Sequence, residues 1–331
     1  MKKILITGAN GFIGSTIVNF FANDENYKIS VLVRKTSNLQ RLQNVIDKIN
    51  IFYGDIREKN SLSEPLKDAD LIIHCAAVLR CIKNDTYYEV NHYGTKNLVE
   101  TIIENNYKIQ GLIYLSSQAA SGPSNCLDYK KSESYCEPVS DYGKSKFLAE
   151  QEILKYKDKI KSIILRPAAV YGPYDKDMFL YFKLAEKGLL PVFNKEFCIQ
   201  FIYIYDLVKV VKNMILNFER FNSKIFFVAE DRSYNVEGIK NIFEKVFNKK
   251  IKVIFIPYFV GYIYAYINEN FYKFFYKQPA IFNRDKLKEL SKNYWLCNSK
   301  DIKSVIPEFS YTPLEIGVKE TYKWYKENGW L

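Results

Sequence analysis

Lys3-Ile4-Leu5-Ile6-Thr7-Gly8-Ala9-Asn10-Gly11-Phe12-Ile13-Gly14 stands at the head of the chain. Lys3–Ile6 reads as a short buried strand, and the helix-period run Phe12–Phe21 follows it directly. Between strand and helix three glycines recur at every third position. Gly8 suits a tight turn, Gly11 lets backbone N–H groups approach a pyrophosphate, and Gly14 lets the helix pack closely on the strand. The positive end of that helix favours an anionic diphosphate. Gly8, Gly11, Phe12, Ile13 and Gly14 are therefore the first candidates for a dinucleotide site.

Working outward, short apolar runs recur at Lys3–Ile6, Ile29–Val33, Ile49–Phe52, Leu71–His74, Gly111–Leu115 and Lys161–Leu165. Helix-period segments fall between most of them: Phe12–Phe21, Leu39–Ile46, Leu62–Leu66, Tyr87–Glu104 and Tyr142–Tyr156. The strands are nearly all apolar rather than alternating, so both of their faces are expected to be buried. That pattern predicts an α/β fold, a doubly wound parallel sheet of Rossmann type. After Arg166 the rhythm breaks at Pro167, Gly172-Pro173, Gly188 and Pro191. The expected division is a dinucleotide-binding domain over 1–168, with a segment near 201–220 returning to it, and a smaller mixed substrate lobe over 169–331.

The chain has 331 residues, 48% of them hydrophobic, and a formal net charge of +11. The basic residues are scattered, without the blocks or finger spacings that read nucleic acid, so no nucleic-acid partner is expected. Cysteines at 75, 81, 126, 136, 198 and 297 form no C-x-x-C pair, and the chain has 2 His, so no metal site is expected. Free thiols and an opening apolar run too short for a signal peptide point to a cytoplasmic protein. The longest apolar stretch, 253–267, carries Pro257 and Gly261 and continues through Phe271, Tyr272, Phe274, Phe275 and Tyr276. It falls short of the ~20 apolar residues of a spanning helix. Two readings remain: a buried helix or pocket wall, or a peripheral membrane contact through 253–276.

The end of the second strand distinguishes the two nicotinamide coenzymes, because a carboxylate there binds a ribose 2′-OH and a basic residue accommodates a 2′-phosphate. Val33 is followed by Arg34-Lys35-Thr36-Ser37-Asn38, with no carboxylate. Arg34 thus favours NADP(H), with NAD(H) the alternative.

Further motifs follow in order: Gly54-Asp55-Ile56, His74-Cys75-Ala76-Ala77, Asn91-His92-Tyr93-Gly94-Thr95, Ser116-Ser117, Tyr142-x-x-x-Lys146 and Arg166-Pro167-x-x-Val170-Tyr171-Gly172-Pro173. Together they resemble the extended short-chain dehydrogenase/reductase family, whose members include nucleotide-sugar epimerases, dihydroflavonol reductases and hydroxysteroid dehydrogenases. The resemblance spans nearly the whole chain and leans toward the dihydroflavonol reductase and hydroxysteroid dehydrogenase branch. It implies that Asp55 and Ile56 meet the adenine, that Ala76 and Ala77 line the cofactor, that Asn91 lies near the site and that Ala168 borders the nicotinamide. It implies a strand-end packing role for His74, and it places Ser117 on the substrate oxygen. Family members often pair through helices equivalent to Tyr87–Glu104 and Tyr142–Tyr156, so a homodimer is one expectation.

Tyr142 and Lys146 lie one helical turn apart, about 6 Å, on one face. An ammonium beside a phenol lowers the phenol's pKa and equips it to exchange protons at neutral pH. Ser117, Tyr142 and Lys146 are accordingly the catalytic candidates, with Lys146 also holding the cofactor ribose. The expected reaction is hydride transfer that interconverts a hydroxyl and a carbonyl while Tyr142 exchanges the oxygen's proton.

Ser116-Ser117-Gln118-Ala119-Ala120 lacks the Thr-Asp-Glu cluster of the family's dehydratases. Nucleotide-sugar epimerases usually carry an Asn after the sixth strand and an Arg before the F-I-Y-V-x-D motif, whereas this chain has Ala169 and Cys198-Ile199-Gln200 there. The reading is an oxidoreductase acting on an apolar or lipid-like hydroxy or keto compound. A nucleotide-sugar epimerase and a non-catalytic NADP-binding regulator are the alternatives.

Overall fold

The computed structural model describes residues 1–125, 127–306 and 308–331, so Cys126 lies outside the described residues. Seven strands form one parallel sheet: β1 (Lys2–Thr7), β2 (Tyr27–Val33), β3 (Ile49–Tyr53), β4 (Leu71–His74), β5 (Gly111–Leu115), β6 (Ser162–Pro167) and β7 (Lys224–Val228). Their order across the sheet is β7-β6-β5-β4-β1-β2-β3, with all neighbours parallel. The chain reverses direction across the sheet between β1 and β4, and this switch opens a crevice beyond the strands' carboxyl ends. Every residue of β4, β5 and β6 is buried. Helices on both faces provide that cover, which is why these strands read as unbroken apolar runs.

The six expected strands are present within a residue or two. The seventh, β7, carries Lys224-Ile225-Phe226-Phe227-Val228 and pairs with β6. It lies in the irregular half of the sequence and just beyond the 201–220 segment expected to return. Helix α1 (Phe12–Phe21) agrees with expectation. Gln40–Lys48 is a 3-10 helix rather than an α-helix. The expected helix Tyr87–Glu104 opens with a π-helical turn over Tyr88–Tyr93 before α2 (Gly94–Glu104). The fifth crossover ends in α3 (Asp141–Leu154), and α4 (Ile204–Leu216) packs against α1.

Beyond the sheet, short strands and helices form a second layer around an aromatic cluster that includes Tyr171, Phe182, Phe201, Tyr203, Phe243 and Tyr325. Here α5 (Tyr258–Phe271) corrects one expectation. It is neither a buried helix nor a wall of the cavity described below. Only Gly261 and Ala265 on it are buried, and its remaining aromatic residues face outward. The following helix, α6 (Arg284–Leu290), returns to the sheet domain and meets the start of α3.

Candidate active site

At the switch point Gly8 has φ +66°, and a Cβ there would stand 2.6 Å from backbone atoms of Ala76. The position therefore requires glycine both for its conformation and for the close approach of β4's exit loop. A Cβ on Gly14 would stand 2.3 Å from the Gly8 carbonyl oxygen, so its absence is what seats α1 on the turn. Gly11 precedes α1 with extended backbone, no side chain caps its amides, and its first turn holds no acidic residue. The helix thus presents free N–H groups and an uncompensated positive end, a donor set that fits a diphosphate.

At the far end of the crevice Arg34 is exposed just past β2 and Asp55 stands just past β3. Arg57 beside Asp55 (2.7 Å), aided by Arg34, holds the Asp55 carboxyl below its ordinary range. Ile56 is buried under Gly94, where a Cβ would meet its side chain at 2.7 Å. The Ala76 amide donates to Thr7 Oγ1 at 3.2 Å, and Ala77 continues this exit loop. Asn91, fully buried in the π turn, accepts from the Val78 amide (2.8 Å) and donates to the Val78 carbonyl (3.1 Å) and Ser145 Oγ (2.9 Å). Its amide is therefore used in tying the loop after β4 to α3.

His74 is fully buried, with Nδ1 bonded to Thr7 Oγ1 at 2.6 Å and Nε2 to Thr95 Oγ1 at 2.9 Å. Burial pushes its pKa down to about 3, so it stays neutral, as a packed strand-end residue should.

Ser117, Tyr142 and Ala168 meet on a cavity of about 330 Å³, together with Phe12 and Ile13 from the glycine turn. Ser117 caps the short helix Gln118–Ser121 by accepting the Ala119 amide at 3.1 Å, and its hydroxyl lies where it lowers the pKa of the Tyr142 phenol. The ring of Tyr87 meets that of Tyr142 edge-on at 6.2 Å. Burial, reinforced by Glu289, pushes the Tyr142 phenol up to about 12, against the lowering effects of Ser117 and Lys286.

The electrostatics differ from expectation at this point. Lys146 is buried one turn beyond Tyr142, but its Nζ donates to the Leu115 carbonyl at 2.7 Å and lies 4.2 Å from the centre of the Tyr114 ring. Burial lowers its own pKa to about 7. The cation that bears most on the Tyr142 phenol is Lys286 on α6, which lowers its pKa. The reason is geometric: the Lys146 amine reaches the Leu115 carbonyl at the end of β5.

Several residues at the site had no signal in the sequence. Asp285 accepts the amides of Asp141 (2.8 Å) and Tyr142 (3.1 Å), and Glu289 accepts the Ser140 hydroxyl at 2.6 Å. Lys286 pairs with Glu289 at 2.9 Å, and Arg80 with Asp177 at 2.7 Å. No local pattern links α6 to α3. Glu150 had a usable signal, because it continues the Tyr142, Lys146 spacing by one more turn. It is fully buried, binds Arg166 at 2.6 and 3.0 Å and accepts the Ser116 hydroxyl at 2.5 Å.

The rest of the cavity is apolar, with walls that include Leu180, Leu190, Val192, Phe193, Ile239, Phe243 and Phe282. Gln118 also lines it, and its Nε2 has no hydrogen-bond partner among the described residues.

Residues 4–229 match the NAD dependent epimerase/dehydratase family. Among curated proteins, the chain is 30% identical to UDP-glucose 4-epimerase of Vibrio cholerae over 62% of this chain and 65% of that one. It is 26% identical to ceramide reductase of Caulobacter vibrioides over 99% and 96%. It is 23% identical to a decarboxylating sterol-4-alpha-carboxylate 3-dehydrogenase of Schizosaccharomyces pombe over 98% and 97%. Among solved structures, UDP-glucuronic acid 4-epimerase of Bacillus cereus superposes with a TM-score of 0.79 at 18% identity, covering 98% of this chain and 99% of that one. The last likeness speaks to the fold alone. Glycine turn, switch-point crevice and family match agree, and the chain belongs to the NAD dependent epimerase/dehydratase family as an NAD(P)-dependent enzyme of the extended short-chain dehydrogenase type.

Proposed function

We propose that this protein is an NADP(H)-dependent oxidoreductase that interconverts a hydroxyl and a carbonyl on an apolar, lipid-like small molecule. The observation that carries the reading is the charge balance of the cavity beside Tyr142. Its cations are Arg80 and Lys286, each already paired with a carboxylate, while Asp175, Asp177, Asp285 and Glu289 also line it. Among the described residues, a sugar-nucleotide diphosphate would enter a site whose two cations each already hold a carboxylate, with only the Nη1 of Arg80 left unpartnered. Gln200, where an epimerase would carry arginine, is buried and spends its amide on the Glu230 carbonyl and the Cys297 amide. The remaining walls suit hydrocarbon. Relatives aligned over almost the full chain are named for ceramide and sterol substrates, which supports the same class.

The residues fit a dinucleotide. Gly8, Gly11, Phe12, Ile13 and Gly14 would hold the pyrophosphate, and Asp55 and Ile56 the adenine. Ala76, Ala77, Asn91 and Ala168 would bound the nicotinamide side, with Lys146 at its ribose. Arg34, in a segment after β2 that carries no carboxylate, favours the 2′-phosphate of NADP(H) over NAD(H). When bound, such a coenzyme supplies or accepts hydride. The chain's own part is proton handling. Tyr142, protonated at neutral pH, donates from Oη to a carbonyl oxygen during reduction, and the Ser117 hydroxyl orients that oxygen. Gln118 Nε2, unpaired among the described residues, is available to a second polar group of the substrate.

The test is to incubate the protein with NADPH or NADH and a panel of long-chain ketones, sterol ketones and nucleotide sugars, following absorbance at 340 nm and sugar composition. Coenzyme oxidation with an apolar ketone, faster with NADPH, is expected. Sugar interconversion without net coenzyme change would transfer the assignment to an epimerase, and no reaction with any compound would favour a binding protein.

A further inference from the structure

An apolar helix surface normally lies in a core, because each exposed side chain forgoes the free energy of transfer out of water. Helix α5 and the π-helical turn Tyr272–Tyr276 that continues it break this rule. The contact with the rest of the protein runs along one narrow stripe, through Gly261 and Ala265. Around it Phe259 is 65% exposed, Ile263 55%, Ile267 59%, Phe274 78% and Phe275 65%. Among the described residues, more than half of the exposed large apolar side chains lie between Ile254 and Ile281. A patch of this size on a folded protein marks a surface that something covers.

The charges around the patch indicate what covers it. Lys249, Lys250, Lys252, Lys273 and Lys277 flank it in sequence; Lys250 reaches Glu244 at 3.7 Å, and the one carboxylate between Lys252 and Lys273, Glu269, is already paired with Arg284 at 2.8 Å. Lys250, Lys252, Lys273 and Lys277 are all exposed. The mixture of Tyr, Phe and Ile with a lysine fringe, on a protein of net charge +11, complements an anionic headgroup layer over hydrocarbon. It complements a second copy poorly, because the same lysines would face one another. At 14 residues α5 spans about 21 Å, and no helix among the described residues is long and apolar enough to cross a membrane.

The patch is also continuous with the substrate cavity. A Cβ on Gly261 would stand 2.8 Å from the ring of Phe193, Phe193 stacks on Phe282 at 5.3 Å, and Tyr264 meets Phe282 at 5.7 Å. Phe193, Phe282 and the half-exposed Ile281 line the cavity.

We propose that α5 and the following turn seat this protein on the surface of an anionic phospholipid bilayer, lying in the headgroup plane and setting the apolar side of the cavity against the acyl chains. The link to the cavity rests on the apolar-substrate reading, whereas the docking itself stands on the exposed face and its charges.

The experiment is co-sedimentation of the full chain with sucrose-loaded vesicles, made either of equal parts phosphatidylglycerol and phosphatidylcholine or of phosphatidylcholine alone, with no coenzyme or substrate present. The protein should pellet with the anionic vesicles, with a partition coefficient at least tenfold above that for neutral ones. The double substitution Phe274→Ser/Phe275→Ser, and separately Lys273→Glu/Lys277→Glu, should each lower it tenfold or more while the melting temperature stays put. If either double variant fails to fold, Ile263→Asn serves in its place. Protein that stays in the supernatant with anionic vesicles, or that binds them equally well with these substitutions, overturns the proposal. So does a concentration-dependent dimer that the substitutions abolish in the absence of vesicle binding, since the face would then belong to a second copy. Turnover of a short, water-soluble ketone, measured in parallel, reports on the proposed chemistry alone, so either idea fails without the other.

Discussion

The Asp285 carboxylate accepts the backbone amide of Tyr142 at 3.1 Å, joining two segments 143 residues apart in the chain. Its other oxygen accepts the Asp141 amide, so one side chain from the second lobe caps the first turn of α3 together with Ser140. Side chains with an acceptor oxygen stabilise exposed helix amides in this way. Here the cap also fixes the helix that carries the phenol. The segment that carries Asp285 therefore helps to position Tyr142.

Replacing Tyr142 by Phe removes the proposed proton donor and leaves the ring in place. Turnover is expected to fall about 10²–10⁴-fold. Coenzyme affinity, read by fluorescence titration, should stay within a factor of two or three of wild type. Near-normal turnover would remove Tyr142 from the chemistry.

The pH profile follows from a phenol raised to about 12. Reduction uses the protonated form and should be flat through neutral pH. Oxidation needs the phenolate and should rise with pH over the whole accessible range. Lys286 lowers this pKa, so Lys286→Met should move the oxidation limb to still higher pH without altering the reduction plateau. A limb that stays in place would show that Lys286 has no influence on the phenol.

Lys146 makes a stability prediction with a definite sign. Its pKa in the coenzyme-free fold is lowered to about 7 from an ordinary 10.5. Below pH 7 both folded and unfolded states are protonated, and the cost of burying the charge is fully present. Between about pH 7 and 10.5 the unfolded state binds more protons, so stability rises with pH. Lys146→Met should therefore gain most in melting temperature relative to wild type near pH 6, and the difference should shrink steadily toward pH 10. A pH-independent difference would contradict the buried, readily neutralised amine.

Gly14→Ala places a methyl 2.3 Å from the Gly8 carbonyl oxygen, against backbone that has no room to yield. The expected result is a folded protein, by circular dichroism, whose NADPH affinity drops at least tenfold because α1 no longer seats on the turn. Unchanged affinity would mean that the pyrophosphate sits elsewhere.

The Glu150–Arg166 pair is almost fully buried on both sides. Glu150→Gln leaves the guanidinium without a counter-charge and should cost about 3–5 kcal/mol of stability, measured by urea unfolding. Glu150→Met combined with Arg166→Met should cost clearly less than the single change, since it removes both charges. If the double variant is the less stable, the pair supplies net stabilisation rather than mutual compensation.

Much of this was legible in the sequence for a local reason. Strands buried on both faces must be apolar along their length, so β4 to β6 appear as unbroken runs, while β3 at the sheet edge reads as a run although none of its residues is buried; a helix seated on a glycine turn must carry Gly8, Gly11 and Gly14 at fixed steps. The Tyr142 to Lys146 spacing likewise names one helix face from five residues. Strand β7 escaped because Lys224–Val228 sits among irregular segments, and nothing local marks it as a partner of β6. Helix α5 read equally well as core or as surface, because periodicity reports apolarity and not what lies against it.

By itself, then, the sequence determined strands β1 to β6, the glycine turn between β1 and α1 and the identities of the residues proposed to react, since each depends on neighbours within a few positions of chain. Only the tertiary structure decided where the charges act. Lys146 turns to the Leu115 carbonyl, Lys286 arrives beside Tyr142 from α6, and Asp285 caps the phenol's helix. Those effects fall off with distance in space, and folding alone brings residues 142 and 286 together.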